Sequence, residues 1–323
     1  MQRRELLKMG AVALGAARAG LSEEASPVKK VRIDAYSRTL HWLRKPEEVA
    51  EACHQIGNTT IDLTVRAYPG HVQPEKAKTD LPPFVKTLLQ NGITVTVLGA
   101  DIVDDQTPYV EEMLGTASSL GIRFNWWRGF RFDYSKPYPP QLEVLKPRLE
   151  KLVKIQEKYG MKAMYHPQGG PMFDYLELIR NFDSRYVSLH FDTGHWMQIS
   201  QSNMAAMIMM AAPYVGGFVW KDGVAERAEA PASAGRGGRG AGYNGWVTRQ
   251  VPVGSGMVDF ALAARTLKAI GFDGPTECQP EWTGLGGAEQ GRDTLSLPRD
   301  TVLGLLKHDY ETIHAALIAA GIA

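Results

Sequence analysis

Short apolar runs and longer amphipathic stretches take turns along this chain from residue 31 to its end. The apolar runs fall at 31–36, 59–65, 93–98, 122–127, 161–166, 186–191, 215–221 and 275–280. Runs this short and this continuously apolar fit strands buried on both faces. Between and after them, 46–55, 80–90, 107–120, 141–159, 173–181, 203–212, 259–270 and 299–319 carry a helical period. Pro46 sits where a first helical turn tolerates it, and Asn91-Gly92, Gly121, Gly160, Pro213 and Gly271 mark the stops. Eight β-then-α units with no antiparallel hairpin signal predict an α/β protein with a parallel sheet. Eight such units in about 300 residues predict closure into a (β/α)8 TIM barrel. No Gly-x-Gly-x-x-Gly follows the first strand, which counts against a dinucleotide fold. The Gly-x-Gly in Val253-Gly254-Ser255-Gly256 reads as a turn.

Two segments depart from the rhythm. Residues 223–250 contain Gly235-Arg236-Gly237-Gly238-Arg239-Gly240 and predict a flexible loop insertion leaving strand seven on the active face. A lid over the mouth and a solvated insertion both remain open readings. Residues 1–30 read as an export signal and linker: Arg3-Arg4 precede Leu6-Leu7-Lys8, a small apolar run follows, and Ala17-Arg18-Ala19 looks like a cleavage site. The paired arginines resemble a twin-arginine signal, so the expected location is periplasmic or extracellular. Residues 31–323 then form a single barrel domain.

Composition adds limits. Of 323 residues, 44% are hydrophobic and 22% charged, ordinary for a soluble globular chain. The net charge of +1 gives no field to recruit nucleic acid, and loss of residues 1–19 would change it to −2. The apolar run near the start is too short to span a bilayer, so no stable membrane association is expected once the signal is removed. Cys53 and Cys278 lie in apolar surroundings and predict buried thiols rather than a disulfide framework. Homo-oligomerisation stays open.

The chemistry gathers at the carboxyl ends of the strands, where barrels place it. Strand two offers Arg66 and His71, and strand four Trp126, Trp127 and Arg128. Strand five offers His166 and Gln168, and strand six Asp192 and His195 across Asp192-Thr193-Gly194-His195. Strand seven offers Lys221 and Asp222, and strand eight Glu277, Gln279 and Glu281. Each alone is more often a structural hydrogen-bonding residue; their coincidence at so many strand ends points to a site. Carboxylates and imidazoles without thiolates suit manganese, magnesium, cobalt or zinc. Aromatic walls with Arg, Lys and His suit a carbohydrate, and a base there would remove a proton beside a carbonyl.

Leu63-Thr64-Val65-Arg66, Gly70-His71-Val72-Gln73-Pro74-Glu75, Phe191-Asp192-Thr193-Gly194-His195, Lys221-Asp222, the stretch from Val251 to Phe260, Glu281-Trp282 and Gly286-Gly287-Ala288-Glu289 carry a resemblance. From about Val31 onward, the chain resembles the xylose isomerase-like TIM barrels of the sugar phosphate isomerase/epimerase family. The resemblance implies a metal held by Glu, Asp, His and Glu from strands five to eight. It makes Asp192 the strand-six ligand, His195 a substrate contact, and Glu281 the strand-eight ligand and base, with Glu277 as the fallback. Two departures stand out: His166 occupies the strand-five position, and Val219 replaces the strand-seven His. The expected metal set is therefore Asp192, Glu281 and His166, with the metal's presence put in question by Val219. The expected catalytic set is Glu281, His166, His195 and Lys221, and the expected substrate contacts are Arg66, His71, Trp127, Arg128, Gln168 and Gln279.

The function expected is an exported sugar isomerase or epimerase using metal-assisted proton abstraction. A lyase or dehydratase of keto-sugars, keto-glycosides or inososes would use the same first step. A sugar-binding barrel without catalysis is the third reading, prompted by Val219.

Overall fold

The computed structural model describes residues 30–133, 135–166, 172–196, 203–227 and 246–323. Its strands are β1 (Ile33–Tyr36), β2 (Thr60–Thr64), β3 (Thr94–Ile102), β4 (Phe124–Trp127), β5 (Lys162–Tyr165), β6 (Val187–Asp192), β7 (Val215–Trp220), β8 (Asp222–Arg227), β9 (Trp246–Val251) and β10 (Thr276–Cys278). Strands β1 to β7 and β10 are parallel and close a barrel, with β10 bridging β7 and β1. The main helices are α1 (Pro46–Ile56), α2 (Ala77–Gln90), α3 (Val110–Ser119), α4 (Tyr138–Tyr159), α5 (Met172–Ile179), the short α6 (Thr193–Trp196), α7 (Met204–Ala211), α8 (Phe260–Ala269) and α9 (Arg299–Ala320). This is the (β/α)8 architecture that the periodicity predicts. Val31 N–H donates to the Ile322 carbonyl at 2.6 Å, tying the first strand to the end of the chain.

Strand parity sorts the side chains. Ile33, Ala35, Ile61, Leu63, Leu189, Phe191, Phe218 and Trp220 belong to the large apolar cluster, which also takes in residues of the surrounding helices. Tyr36, Val97, Trp126 and Met164 form a smaller cluster of opposite parity. Asp34, Asp62, His190 and Glu277 share that inward parity and are at most 1% exposed. TIM-barrel interiors are usually filled with branched apolar residues, so this polar layer is a departure. The short strand patterns at 31–36 and 59–65 do not announce it.

The backbone makes room for the layer. The β2–β3 register shifts between Ile61 and Asp62, and Thr96 donates its hydroxyl to Asp34. A Cβ on Gly99 would lie 2.5 Å from Asp62 Oδ1, and one on Gly217 would lie 2.6 Å from Met164 Sδ and 2.7 Å from His190 Cδ2. Gly217→Ala should therefore destabilise the fold by about 1–3 kcal/mol through overpacking. Urea unfolding measures this, and a loss under about 0.5 kcal/mol would show that the layer yields.

The segment after strand seven needs a correction. No hairpin was expected there, yet β8 and β9 pair antiparallel over six residues a side, with Asp222 opposite Val251. The central residues, 228–245, lie outside the described residues, as does the export signal. Asp222 anchors the base of this ribbon. Its Oδ1 accepts from the Gly223 and Val258 N–H groups at 2.8 and 3.2 Å, and its Oδ2 from those of Gly254 and Gly256 at 2.9 and 2.8 Å. The Gly254-Ser255-Gly256 turn thus wraps a carboxylate of its own chain. A Cβ on Gly256 would meet Asp222 Oδ1 at 2.2 Å, which explains the glycine. Cys53 and Cys278 are buried and unbridged. Among the described residues no helix is long and apolar enough to cross a membrane.

Candidate active site

Strand β6 ends in Asp192, whose Oδ1 accepts from the Gly194 and His195 N–H groups at 2.8 and 3.2 Å. This cap explains the Asp-Thr-Gly-His sequence locally: the carboxylate holds the first turn of α6. The other oxygen, Oδ2, faces the mouth. Lys221 Nζ lies 2.9 Å from it, His195 Nε2 3.6 Å and His166 Nε2 3.9 Å. Lys221 also reaches Glu281 Oε2 at 3.0 Å, and Arg38 donates to Glu281 Oε1. Asp309 fixes the segment behind Glu281, accepting from Trp282 Nε1 at 2.8 Å and from the Val253 N–H at 2.9 Å.

A second line of groups runs inward from His166. Its ring lies flat on Trp126, centroids 4.5 Å apart and planes 7° from parallel. Its Nδ1 is 3.4 Å from Nδ1 of His190, so one ring donates to the other. His190 Nε2 lies 3.6 Å from Glu277 Oε1, and that oxygen accepts a hydrogen bond from Gln279 Nε2. Asp62 neighbours Glu277 in the same buried layer, where two carboxyls do not both ionise. Burial, and then Asp62, push Glu277 well up, so it is the one that holds its proton.

The charge states follow from burial and neighbours. Burial and the cation of Lys221 hold His166 well below the ordinary imidazole value, so the ring is neutral. Burial takes His190 down to about 3. For Asp192, burial works upward, but Lys221 and His195 outweigh it and keep the carboxyl below its ordinary value. The cluster therefore presents an ionised Asp192 beside an ammonium and neutral imidazole.

The predicted residues divide into groups. Asp192, His166, His195, Lys221 and Glu281 come together. Gln279 lies beneath them, bound to Glu277. Arg66 stands over the Trp126 ring at 5.5 Å, and both Arg66 and Arg128 approach Asp101, at 3.7 and 3.5 Å. His71 is engaged elsewhere, with Nδ1 at 3.1 Å from Thr64 Oγ1 and Nε2 at 3.2 Å from the Leu43 carbonyl; burial lowers it to about 3. The structure places His71 with the β2 loop rather than with the Asp192 cluster. Trp127 also points away from that cluster: it donates to the Val103 carbonyl at 2.8 Å and packs on Phe130, Tyr165 and Tyr175. Parity turns Trp126, its neighbour, to the site instead. Gln168 lies outside the described residues. The sequence reading missed Arg38, His190 and Asp62. Counting strand ends from strand one would have found Arg38, and strict alternation back from Asp192 would have found His190.

Two sets of described side chains have donor atoms placed to hold a metal ion: His166, Asp192 and His195, and His166, His190 and Glu277. Glu281, an expected ligand, joins neither, because its two oxygens face Arg38 and Lys221. In kind, the first set suits a divalent ion. In electrostatics it does not fit while Lys221 stands 2.9 Å from Asp192 Oδ2, since an ion on that oxygen would face an ammonium at contact range.

The profile of the xylose isomerase-like TIM barrel family matches residues 44–297, and the chain belongs to that family. No curated protein sequence matches it. Among solved structures, it resembles a xylose isomerase-like TIM barrel protein from Mycobacterium smegmatis in complex with magnesium, with a TM-score of 0.62, 16% identity, and coverage of 91% of this chain and 98% of that one. D-Psicose 3-epimerase from Clostridium cellulolyticum H10, solved with D-tagatose, gives a TM-score of 0.61 at 13% identity, covering 89% of this chain and 99% of that one. The 3-keto-D-glucoside 4-epimerase of E. coli gives 0.58 at 13%, covering 86% and 98%. At these identities the likeness speaks to fold alone.

Proposed function

We propose that this protein is an exported sugar isomerase or epimerase that moves a proton at a carbon beside a carbonyl. One observation carries the reading: a chain of contacts runs Glu281–Lys221–Asp192–His166, a carboxylate at one end and a neutral imidazole at the other, with a positive charge between them. Glu281 takes the carbon-bound proton; its return to the neighbouring carbon gives an isomer, and delivery of a proton to the opposite face of the same carbon gives an epimer. The Lys221 ammonium faces the oxygen where negative charge develops. Neutral His166 passes a proton between the two adjacent oxygens through Nε2, and Trp126 holds the ring in place. A manganese, magnesium, cobalt or zinc ion drawn by His166, Asp192 and His195 would compete with Lys221 for Asp192. His195, Arg66 and Arg128 are the candidate contacts to substrate hydroxyls. The twin-arginine-like start of the chain supports export, and phosphorylated sugars are scarce outside the cytoplasm, so unphosphorylated substrates are the first to try.

The fold relatives name two substrate types, a free ketose and a 3-keto-glucoside. Incubation in deuterated water with free ketoses, 3-keto-glycosides and inososes, followed by NMR, tests the reading. Deuterium is expected at one carbon next to the carbonyl, with a product epimer or isomer. Deuterium accompanied by loss of a β-substituent would replace this reading with the lyase. Sugar binding without exchange in any class would leave a binding barrel.

A further inference from the structure

Strand β7 brings no metal-binding side chain to the centre of the barrel. Val219, opposite Asp192 on β6 and Glu277 on β10, is fully buried. Two residues later Lys221 has the same parity, and its ammonium lies 2.9 Å from Asp192 Oδ2 and 3.0 Å from Glu281 Oε2. Its side chain is 1% exposed. The other oxygens of both carboxylates are engaged, by the α6 backbone and by Arg38. Each acid thus turns one oxygen to the lysine.

The surroundings are shaped to this side chain. Thr193 Oγ1 accepts from the Lys221 N–H at 2.9 Å and donates to its carbonyl at 2.7 Å, fixing the backbone from which the stem leaves. A Cβ on Gly194 would lie 2.8 Å from Lys221 Cβ and 2.9 Å from Cδ, so the glycine of Asp-Thr-Gly-His is what lets the stem pass. Among the described residues, Asp192 and Glu281 face Lys221 and Arg38, with His195 also beside Asp192. A divalent ion would add two positive charges to a set already near balance.

We propose that the Lys221 ammonium is the resident cation of this site, and that the protein needs no divalent metal. The ammonium holds Asp192 and Glu281 together and presents its charge to the substrate oxygen. That last assignment rests on the isomerase reading; the occupancy of the site by Lys221 does not.

Metal binding tests the proposal apart from turnover. The full folded chain is stripped with chelator, titrated with Mn2+ or Zn2+ by calorimetry, and its metal content is measured by mass spectrometry. The wild-type protein is expected to retain no stoichiometric metal and to give no saturable binding. Val219→His restores the absent imidazole and is still expected to bind no metal, because Lys221 remains. Lys221→Met, alone or with Val219→His, is expected to tighten Mn2+ binding by about 100-fold or more. One equivalent of tightly held metal in the wild type, or in Val219→His alone, would overturn the proposal. So would folded Lys221→Met protein, checked by circular dichroism, that binds no better than wild type. If Lys221→Met does not fold, the wild-type and Val219→His titrations decide. Absent proton exchange with all sugars, alongside the expected titrations, would remove the isomerase reading and leave the resident lysine standing.

Discussion

Glu281→Gln is expected to lower sugar proton exchange by about 100- to 10,000-fold, the usual worth of a positioned general base. The amide keeps the size of the side chain and can still accept from Lys221, but it cannot take a proton. Sugar affinity should change far less, because binding draws on Arg66, Trp126 and His195 as well. Some stability should also go, since Arg38 and Lys221 lose a buried counter-charge. Deuterium wash-in by NMR, with sugar affinity by calorimetry on the same preparation, separates these effects. An exchange rate within about tenfold of wild type would move the base to another residue, with Glu277 the first to examine.

The polar layer beneath the site predicts an unusual response to pH. Burial raises Asp34 to about 7 and Asp62 to about 6, from ordinary values of 3.8. Asp34 holds its proton in the fold up to about pH 7 and Asp62, beside protonated Glu277, up to about pH 6; in the unfolded chain both lose it well below that. These protons are bound more tightly in the fold, so the contribution of the two acids to stability is greatest below the unfolded value and declines as pH rises from about 4 to about 7. For Asp34 alone the full effect is bounded at roughly 4 kcal/mol. Asp192, whose carboxyl is held low, has the opposite slope, but its contribution is lost only as pH falls below its unfolded value. Burial also holds His71, His166 and His190 low, so their contribution runs the other way and is lost as pH falls below their unfolded value; the acid layer is therefore read from a variant rather than from the whole curve. Asp34→Asn, which can still accept from Thr96, should gain on wild type by about 1–3 kcal/mol between about pH 5 and about pH 8, measured by chemical denaturation. A variant that gains nothing over that range would show that Asp34 is charged and paired in the fold.

Several features were legible because they depend on neighbours in sequence. The period of the apolar residues predicts each barrel strand, since alternation and helical repeat are local properties. The Asp192-Thr193-Gly194-His195 turn is legible as a capped strand end, since its carboxylate accepts from the N–H groups two and three residues on. Parity was the first thing lost. Trp126 and Trp127 are equivalent as letters, and only the pleat decides that Trp126 meets His166 while Trp127 packs outward. His71 looked like a free imidazole at a strand end, but both its nitrogens are used by the loop that carries it. The β8–β9 ribbon was hidden for a related reason. Its strands lie on either side of a Gly/Arg-rich stretch, so the pairing spans a separation that no local turn signal covers.

By itself, then, the sequence determined the barrel and which residue types stand at its strand ends, because periodicity and motif order survive without coordinates. Tertiary structure alone decided who faces whom. It set an ammonium between Asp192 and Glu281, gave Glu281 the distant Arg38, and buried Asp34, Asp62 and Glu277 in one layer. Barrel closure brings residues more than two hundred positions apart into contact. The electrostatics of burial, which fix charge at each group, exist only once that closure has excluded water.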